Sequence, residues 1–292
     1  MGSQFIGLVT HAGKPKAEEL TLQLVNQFRA RGIRLLLEPG TAALLPTRDG
    51  YEVASMEEIG LRCELLVVLG GDGTLLRAVH ELRQKLCPVF GINLGSLGFL
   101  TCLSSTVAHQ AVEAISTGRY ELSRRSLLEI QVERRGSIVI SGLNALNDAV
   151  ISRGGHSRLI RLDTAINGTY LTQYNADGLI VATPTGSTAY SLSSGGPLIQ
   201  PDAKVFVITP ICPHVLTNRS LIVCDESEIT VQPVRGQEEV ILAIDGQEPV
   251  KIEEGDIIRI RKSAQQLPLA MLPGLSFGEI LREKLKWSGS AV

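Results

Sequence analysis

Asp72 stands in the run GGDGT, Gly70 to Thr74, directly after the apolar segment Leu65 to Leu69. A strand ending in such a turn leaves backbone N–H groups free to approach a phosphate, because glycine puts no side chain in the way. Leu75, Leu76, Val79 and Leu82 then recur at helical spacing, so Thr74 is expected to open a helix whose N-terminus carries partial positive charge. A carboxylate is repulsive at a phosphate site unless it binds a metal or handles a proton, so Asp72 points to phosphoryl chemistry as well as to binding. A purely structural turn is the alternative, since glycine-rich turns after strands are common.

A second run, NADGLIVATPTGSTAYSLSSGGP from Asn175 to Pro197, makes that alternative less economical. Its stretch TPTGSTAYSLSSGGP holds seven Ser/Thr hydroxyls and three glycines, a density that a turn or buried strand does not require. Such a segment can donate hydrogen bonds to phosphate and ribose oxygens while staying neutral. Tyr190 and Leu192 interrupt it in a way that suggests burial against a planar group. Asp177 in NADG, and Asn147 with Asp148 in NALNDAVI, are types that read a sugar's hydroxyl pair or an adenine edge, and equally types that build Asx turns. Asp245, Gly246 and Gln247 break a strand pattern as a hairpin turn.

Other chemistries are excluded by absent motifs. No GxxxxGK[ST] is present, and Gly91, Gly95 and Gly98 do not match GxGxxG. HRD, DFG and GxSxG are missing, which removes protein kinases and common serine hydrolases. The five histidines, His11, His80, His109, His156 and His214, do not fall in metal-ligand spacing; His214, after a strand in ICPHVL, is the one placed to matter.

Composition sets the class. The chain of 292 residues suits two domains better than one. Its 28 basic and 30 acidic residues form no basic stripe, which argues against a nucleic-acid partner. Five cysteines with no CxxC pair fit reduced thiols. The start MGSQFIGLVTHAGKPK lacks the basic leader and apolar core of a signal peptide, Ile6 breaks the myristoylation pattern, and no apolar stretch reaches membrane-spanning length. A soluble cytoplasmic protein with no membrane partner is expected.

These residues must be held by a framework that changes character along the chain. Up to residue 120, β-rich runs (Phe5 to Val9, Ile33 to Leu37, Leu65 to Leu69, Val89 to Ile92) alternate with helical patterns (about Pro15 to Arg31, Thr74 to Leu86, Thr106 to Thr117). This predicts an α/β domain with an open, largely parallel sheet, whose ligands collect at the C-terminal strand ends, where Asp72 and the loop NLGSLGFLT (Asn93 to Thr101) sit. From 121 to 274 strand follows strand, from Leu127 to Val132 through Ile257 to Arg261, predicting an all-β, antiparallel sandwich-like domain. Residues 275–292, with a helical pattern at Phe277 to Trp287, are expected to return to the first domain.

GGDGT, NLGSLGFLT, Asn147–Asp148, the long hydroxyl-rich run, TPICPHVLTNRSL and LREKLKW, in this order and over nearly the whole chain, resemble the NAD kinase family. The long run carries more of that resemblance than GGDG, which phosphofructokinases and lipid kinases share. The resemblance implies transfer of the γ-phosphoryl group of ATP to the 2′-hydroxyl of the adenosine ribose of NAD, giving NADP, in a homodimer or homotetramer with its site between the two domains. By the same resemblance Asp72 orients the ribose hydroxyls and takes the 2′-proton, Gly73 lies against phosphate, and Phe99 lines the adenine pocket. Asn147 and Asp148 hold adenine and ribose groups. Asn175, Asp177, Thr188, Ala189, Tyr190, Ser191, Leu192 and Ser193 hold the rest of the dinucleotide. Arg77, Arg158, Cys212 and Gln247 match positions near ligand.

An ordinary aspartate, with a pKa of about 3.9, is ionised at neutral pH and a weak base for an alcohol, so Asp72 is expected to orient first and accept the proton late. Few basic side chains lie in the motifs, so a divalent metal, magnesium carried with ATP, is expected to offset phosphate charge with help from backbone dipoles. Three positions depart from frequent family patterns. Asp148 replaces Glu, Ser220 replaces proline, and Asn175 is neutral where some members are basic, which leaves NADH open as an acceptor. The competing classes are a kinase of another hydroxylated substrate, for which no membrane-binding basic helix is seen, and a nucleotide sensor without turnover, against which the intact Asp72 argues.

Overall fold

The computed structural model describes residues 5–83, 85–95, 97–101, 103–155, 159–236 and 239–287. The chain divides into two compact units, one formed by residues 1–124 and 267–292, the other by 125–266.

The first unit alternates strand and helix: β1 (Phe5–Thr10), α1 (Ala17–Ala30), β2 (Arg34–Leu37), α2 (Pro39–Ala42), β3 (Glu52–Val53), α3 (Met56–Arg62), β4 (Cys63–Gly70), α4 (Asp72–Leu82), β5 (Val89–Asn93), β6 (Leu103–Ser104) and α5 (Ala108–Thr117). Its strands pair in parallel in the order β3-β2-β1-β4-β5, with β6 on β5. β4 is apolar almost throughout because it is central and covered on both faces, and only Glu64 reaches solvent. The direction of winding reverses between β1 and β4, and a crevice at the carboxyl ends of the strands beside such a reversal is where open α/β sheets receive ligands. The ends of β4 and β5 deliver Asp72 and the 93–101 loop to that edge.

The second unit contains β7 (Glu121–Arg134), β8 (Ser137–Ala145), β9 (Asp148–Arg153), β10 (Ile160–Ile166), β11 (Thr169–Ala176), β12 (Gly178–Ala182), α6 (Tyr190–Ser193), β13 (Val205–Ile211), β14 (Leu221–Cys224), β15 (Ile229–Pro233), β16 (Val240–Ile244), β17 (Val250–Ile252) and β18 (Ile257–Met271). One sheet runs β14-β13-β12-β9-β16-β17, antiparallel throughout. Opposite it, β11, β10, β15 and β18 pair antiparallel in that order and β7 joins β18 to β8. Ile151, Val181, Phe206 and Leu242 of the first sheet share one core with Leu128, Leu162, Val231 and Ile260 of the second, so the unit is a sandwich. The chain passes between units inside β7 and β18, and the last helix, α7 (Phe277–Leu285), belongs to the first unit. Among the described residues no helix is long and apolar enough to cross a membrane.

Differences from the sequence reading are local. The helix expected from Thr74 starts two residues earlier, with Gly71 as its N-cap, so Asp72 is its first residue. The five strands that the pattern did not announce, β3, β6, β11, β14 and β17, all lie at sheet margins.

Candidate functional site

Asp72 is held by the loop that follows β5. Its Oδ2 accepts the Phe99 N–H at 2.8 Å; its Oδ1 accepts the N–H groups of Leu100 at 3.1 Å and Thr101 at 3.0 Å, and the Thr101 hydroxyl at 2.9 Å. Buried Asn93 donates through Nδ2 to Thr101 Oγ1 at 2.7 Å, and its Oδ1 accepts the Gly95 N–H at 2.6 Å. Four glycines divide by task. At Gly70 a Cβ would run into Thr74, and at Gly98 into Asp72 Oδ1, so these two are required by packing. At Gly71 and Gly73 a Cβ would meet no atom of the described residues within 4 Å. Their lack of side chains therefore leaves open space at the N-terminus of α4, where backbone N–H groups and the helix dipole favour an anion. Arg77, one turn on, pairs with Glu81 at 2.9 Å. Lys284 of α7 places Nζ 5.8 Å from the centroid of the Phe99 ring.

In the second unit the residues expected to bind substrate fall into two clusters. The first gathers Asn147, Asp148, the 183–189 segment and the 245–247 turn. Asp245, with φ 49°, and Gly246, with φ 69°, form a turn closed by Gln247 N–H to Ile244 C=O at 2.9 Å. The Asp245 carboxylate accepts the N–H groups of Leu146 and Asn147, both at 2.7 Å, and of Asp148 at 3.1 Å. Thr183 Oγ1 donates to Leu146 C=O, and Gly186 packs so tightly on Asn147 C=O that no Cβ fits. Burial, and then the Asp245 carboxylate, push the Asp148 carboxyl up to about 7, so near neutrality it is partly protonated and can donate a hydrogen bond.

The second cluster lies at the other end of β12. Asp177 pairs with Arg153 at 2.9 Å, Asp177 N–H bonds Ile211 C=O, and His214 N–H bonds Asn175 C=O. Exposed Cys212, with φ 45°, follows in the same turn. Residues 177 and 183 flank the extended strand Gly178–Ala182, which sets the clusters roughly 20 Å apart. The two clusters therefore lie at opposite ends of one strand.

The hydroxyl-rich run is tied together by its own hydrogen bonds. Ser187 donates to Pro184 C=O and accepts from Ile199 N–H, Thr188 donates to Thr185 C=O, and Ser191 bonds Thr209. These hydroxyls fold a compact knot, while Ser193 and the Tyr190 ring, 46 % exposed, face outward rather than into a core. Arg158 and His156 lie outside the described residues. Sequence reasoning did not single out Asn93, Thr101, Arg153, Asp245 or Lys284. Asp245 was hidden by its good fit to a hairpin turn, and Thr101 by standing at the end of an apolar GFL.

A parallel α/β unit with a fixed carboxylate at an open, glycine-lined helix N-terminus, joined to a β-sandwich bearing polar clusters, defines a class of nucleotide phosphotransferase. Residues 6–120 match the ATP-NAD kinase N-terminal domain, and residues 146–272 the ATP-NAD kinase C-terminal domain. The chain is 41 % identical over 282 residues to the NAD kinase of Geotalea daltonii, covering 97 % of this chain and 98 % of the relative. It is 42 % identical over 287 residues to that of Moorella thermoacetica, covering 98 % and 91 %. Among solved structures, yeast NADH kinase complexed with NADH superimposes with a TM-score of 0.89 at 28 % identity, covering 99 % of this chain and 89 % of that one. An NAD kinase from Archaeoglobus fulgidus in complex with ATP shares the fold, with a TM-score of 0.73 at 23 % identity and 98 % of each chain covered. The chain belongs to the ATP-NAD kinase family, enzymes that phosphorylate NAD to NADP with ATP.

Proposed function

We propose that Asp72 receives the 2′-hydroxyl of the adenosine ribose of NAD and that the γ-phosphoryl group of ATP is transferred to it. The 2′-oxygen bonds to the γ-phosphorus, the bond from that phosphorus to the β–γ bridging oxygen breaks, ADP leaves, and the 2′-proton passes to Asp72. The observation that carries this reading is the immobilised Asp72 carboxylate beside the open Gly71 and Gly73. Preset geometry supplies most of the help a weak base cannot. We assign Gly73 and the α4 N-terminus to phosphate, Phe99 to adenine, and Asn147 with Asp148 to adenine and ribose groups. Thr188 to Ser193, Asn175 and Asp177 take the remainder of the dinucleotide, and Arg77, Arg158, Cys212 and Gln247 border it.

Magnesium enters as part of the ATP substrate. Among the described residues no three His, Cys, Asp or Glu side chains converge on a metal position. That donor set suits an ion held by triphosphate oxygens and water rather than by a protein cage. NADH is a second acceptor in this reading, because Asn175 adds no charge and Arg153 is paired with Asp177. The enzyme is placed in the cytoplasm as a homodimer or homotetramer, and the separation of the two clusters along β12 gives a neighbouring copy a part in completing the site.

Incubation with ATP, magnesium and NAD should yield NADP by mass, with fragmentation locating the phosphate on the adenosine ribose. Asp72→Asn should lower kcat by about 10²- to 10⁴-fold. Full activity in that variant removes Asp72 from its role, absence of NADH phosphorylation where NAD is converted ends the second acceptor, and a monomer in sedimentation equilibrium ends the oligomer.

A further inference from the structure

Asp72 is held asymmetrically, and the asymmetry follows from one chain of hydrogen bonds. The Gly95 N–H occupies Asn93 Oδ1, which fixes the side-chain amide so that its NH₂ faces Thr101. Thr101 Oγ1 thereby accepts from Asn93, and its own proton is left to point at Asp72 Oδ1. With the N–H groups of Leu100 and Thr101, that makes three donors on Oδ1, more than its two lone-pair directions. Among the described residues Oδ2 has one, the Phe99 N–H.

From this we infer that Thr101, oriented by Asn93, is a positioning residue that saturates Asp72 Oδ1 and so reserves Oδ2 for the substrate hydroxyl. Among the described residues Oδ2 has a lone pair open and Oδ1 has none. The Asn93–Thr101 pair decides which carboxylate oxygen works and keeps the carboxylate from rotating when the alcohol arrives. The surroundings enforce the same geometry. The Thr101 methyl packs where a Cβ on Gly91 would come within 2.9 Å of it, and a Cβ on Gly98 would overlap the occupied Oδ1. Thr101 is fully buried and its hydroxyl is spent on Asp72, so it acts through Asp72. The inference rests on the assignment of Asp72 as the group that receives the ribose alcohol.

Its two contributions, methyl packing and hydroxyl donation, are separable by substitution. Thr101→Val keeps the branched packing and loses the donor; Thr101→Ser keeps the donor and loses the methyl. Steady-state kinetics with ATP, magnesium and NAD should show kcat about 10- to 100-fold lower in Thr101→Val, with KM for ATP within about 3-fold of the parent, and Thr101→Ser within about 3-fold of the parent in kcat. In a double-mutant cycle on Asp72→Asn, Thr101→Val should change the residual kcat by less than about 2-fold, because the oxygen it served has lost its charge. The inference is overturned if Thr101→Ser is the more damaged of the two, or if Thr101→Val costs the same factor with Asp72 and without it. An inactive parent protein refutes the kinase reading instead, whereas an active parent matched by an equally active Thr101→Val refutes only this one. Melting temperatures of all five proteins, the parent, the three single variants and the double variant, show whether each is folded under assay, and Thr101→Ser carries the test if Thr101→Val is not: loss of activity in folded Thr101→Ser overturns the inference, and retention supports it.

Discussion

At the scale of residues, glycine and aspartate do different work at positions that look alike in sequence. Gly73 has open space around it and sits in the first turn of α4, so Gly73→Ala should raise stability by about 0.5–1 kcal/mol. If phosphate approaches there, the same change should raise KM for ATP severalfold; calorimetry and kinetics check the two halves separately. Asp148 and Asp245 are close carboxylates with different duties, one buried and holding its proton up to about pH 7, the other accepting three backbone N–H groups. The folded Asp148 value lies above the ordinary 3.8, so between about pH 4 and pH 7 the folded protein binds a proton that the unfolded chain has released. Its contribution to stability is complete below that window and is lost as pH rises through 7, on the order of 4 kcal/mol. Asp148→Asn should flatten this part of the stability curve in denaturant titrations run across that range; an unchanged slope refutes the assignment.

Elements were legible in proportion to how much apolar surface they bury. β4, β12 and β13 are covered on both faces and announce themselves as continuous apolar runs. β11, at a margin, reads TYLTQYNA with three exposed residues at its start, and needs no such run because solvent takes one side. Short α3 is signalled only by its cap, in which Ser55 and Glu58 exchange hydrogen bonds. The turn between β16 and β17 shows the limit of local reading. Its DG pair is a sound turn signal, yet the decisive contact is the Asp245 carboxylate across 97 to 99 residues of chain to 146–148. Asp245→Ala should cost about 2–4 kcal/mol by stranding those donors and should raise KM for NAD, whereas Asp245→Asn, which keeps an acceptor oxygen, should cost less. Equal losses in chemical denaturation would mean that the turn conformation, not the carboxylate, matters.

At the scale of the whole molecule, the first unit is discontinuous: residues 267–292 return to it, and Leu269 and Ala270 pair with Val89 and Phe90 of β5. A chain ending at residue 266 should therefore expose the flank of β5 and lose soluble expression or melt at least about 10 °C lower, a check that needs only a truncated gene and a thermal scan. The sequence by itself determined the fold class and the chemistry, since apolar periodicity depends on which faces are covered and the glycine–acid runs are contiguous. It also sufficed for Asp72, Asn147 and Asp148 as candidates. Tertiary structure alone decided that Thr101 and Asn93 hold Asp72, that Asp245 holds residues 146–148, and that Asp177 lies at the far end of a strand from them. Hydrogen bonds between distant segments depend on register and burial, and neither is written in the order of residues along any one of those segments.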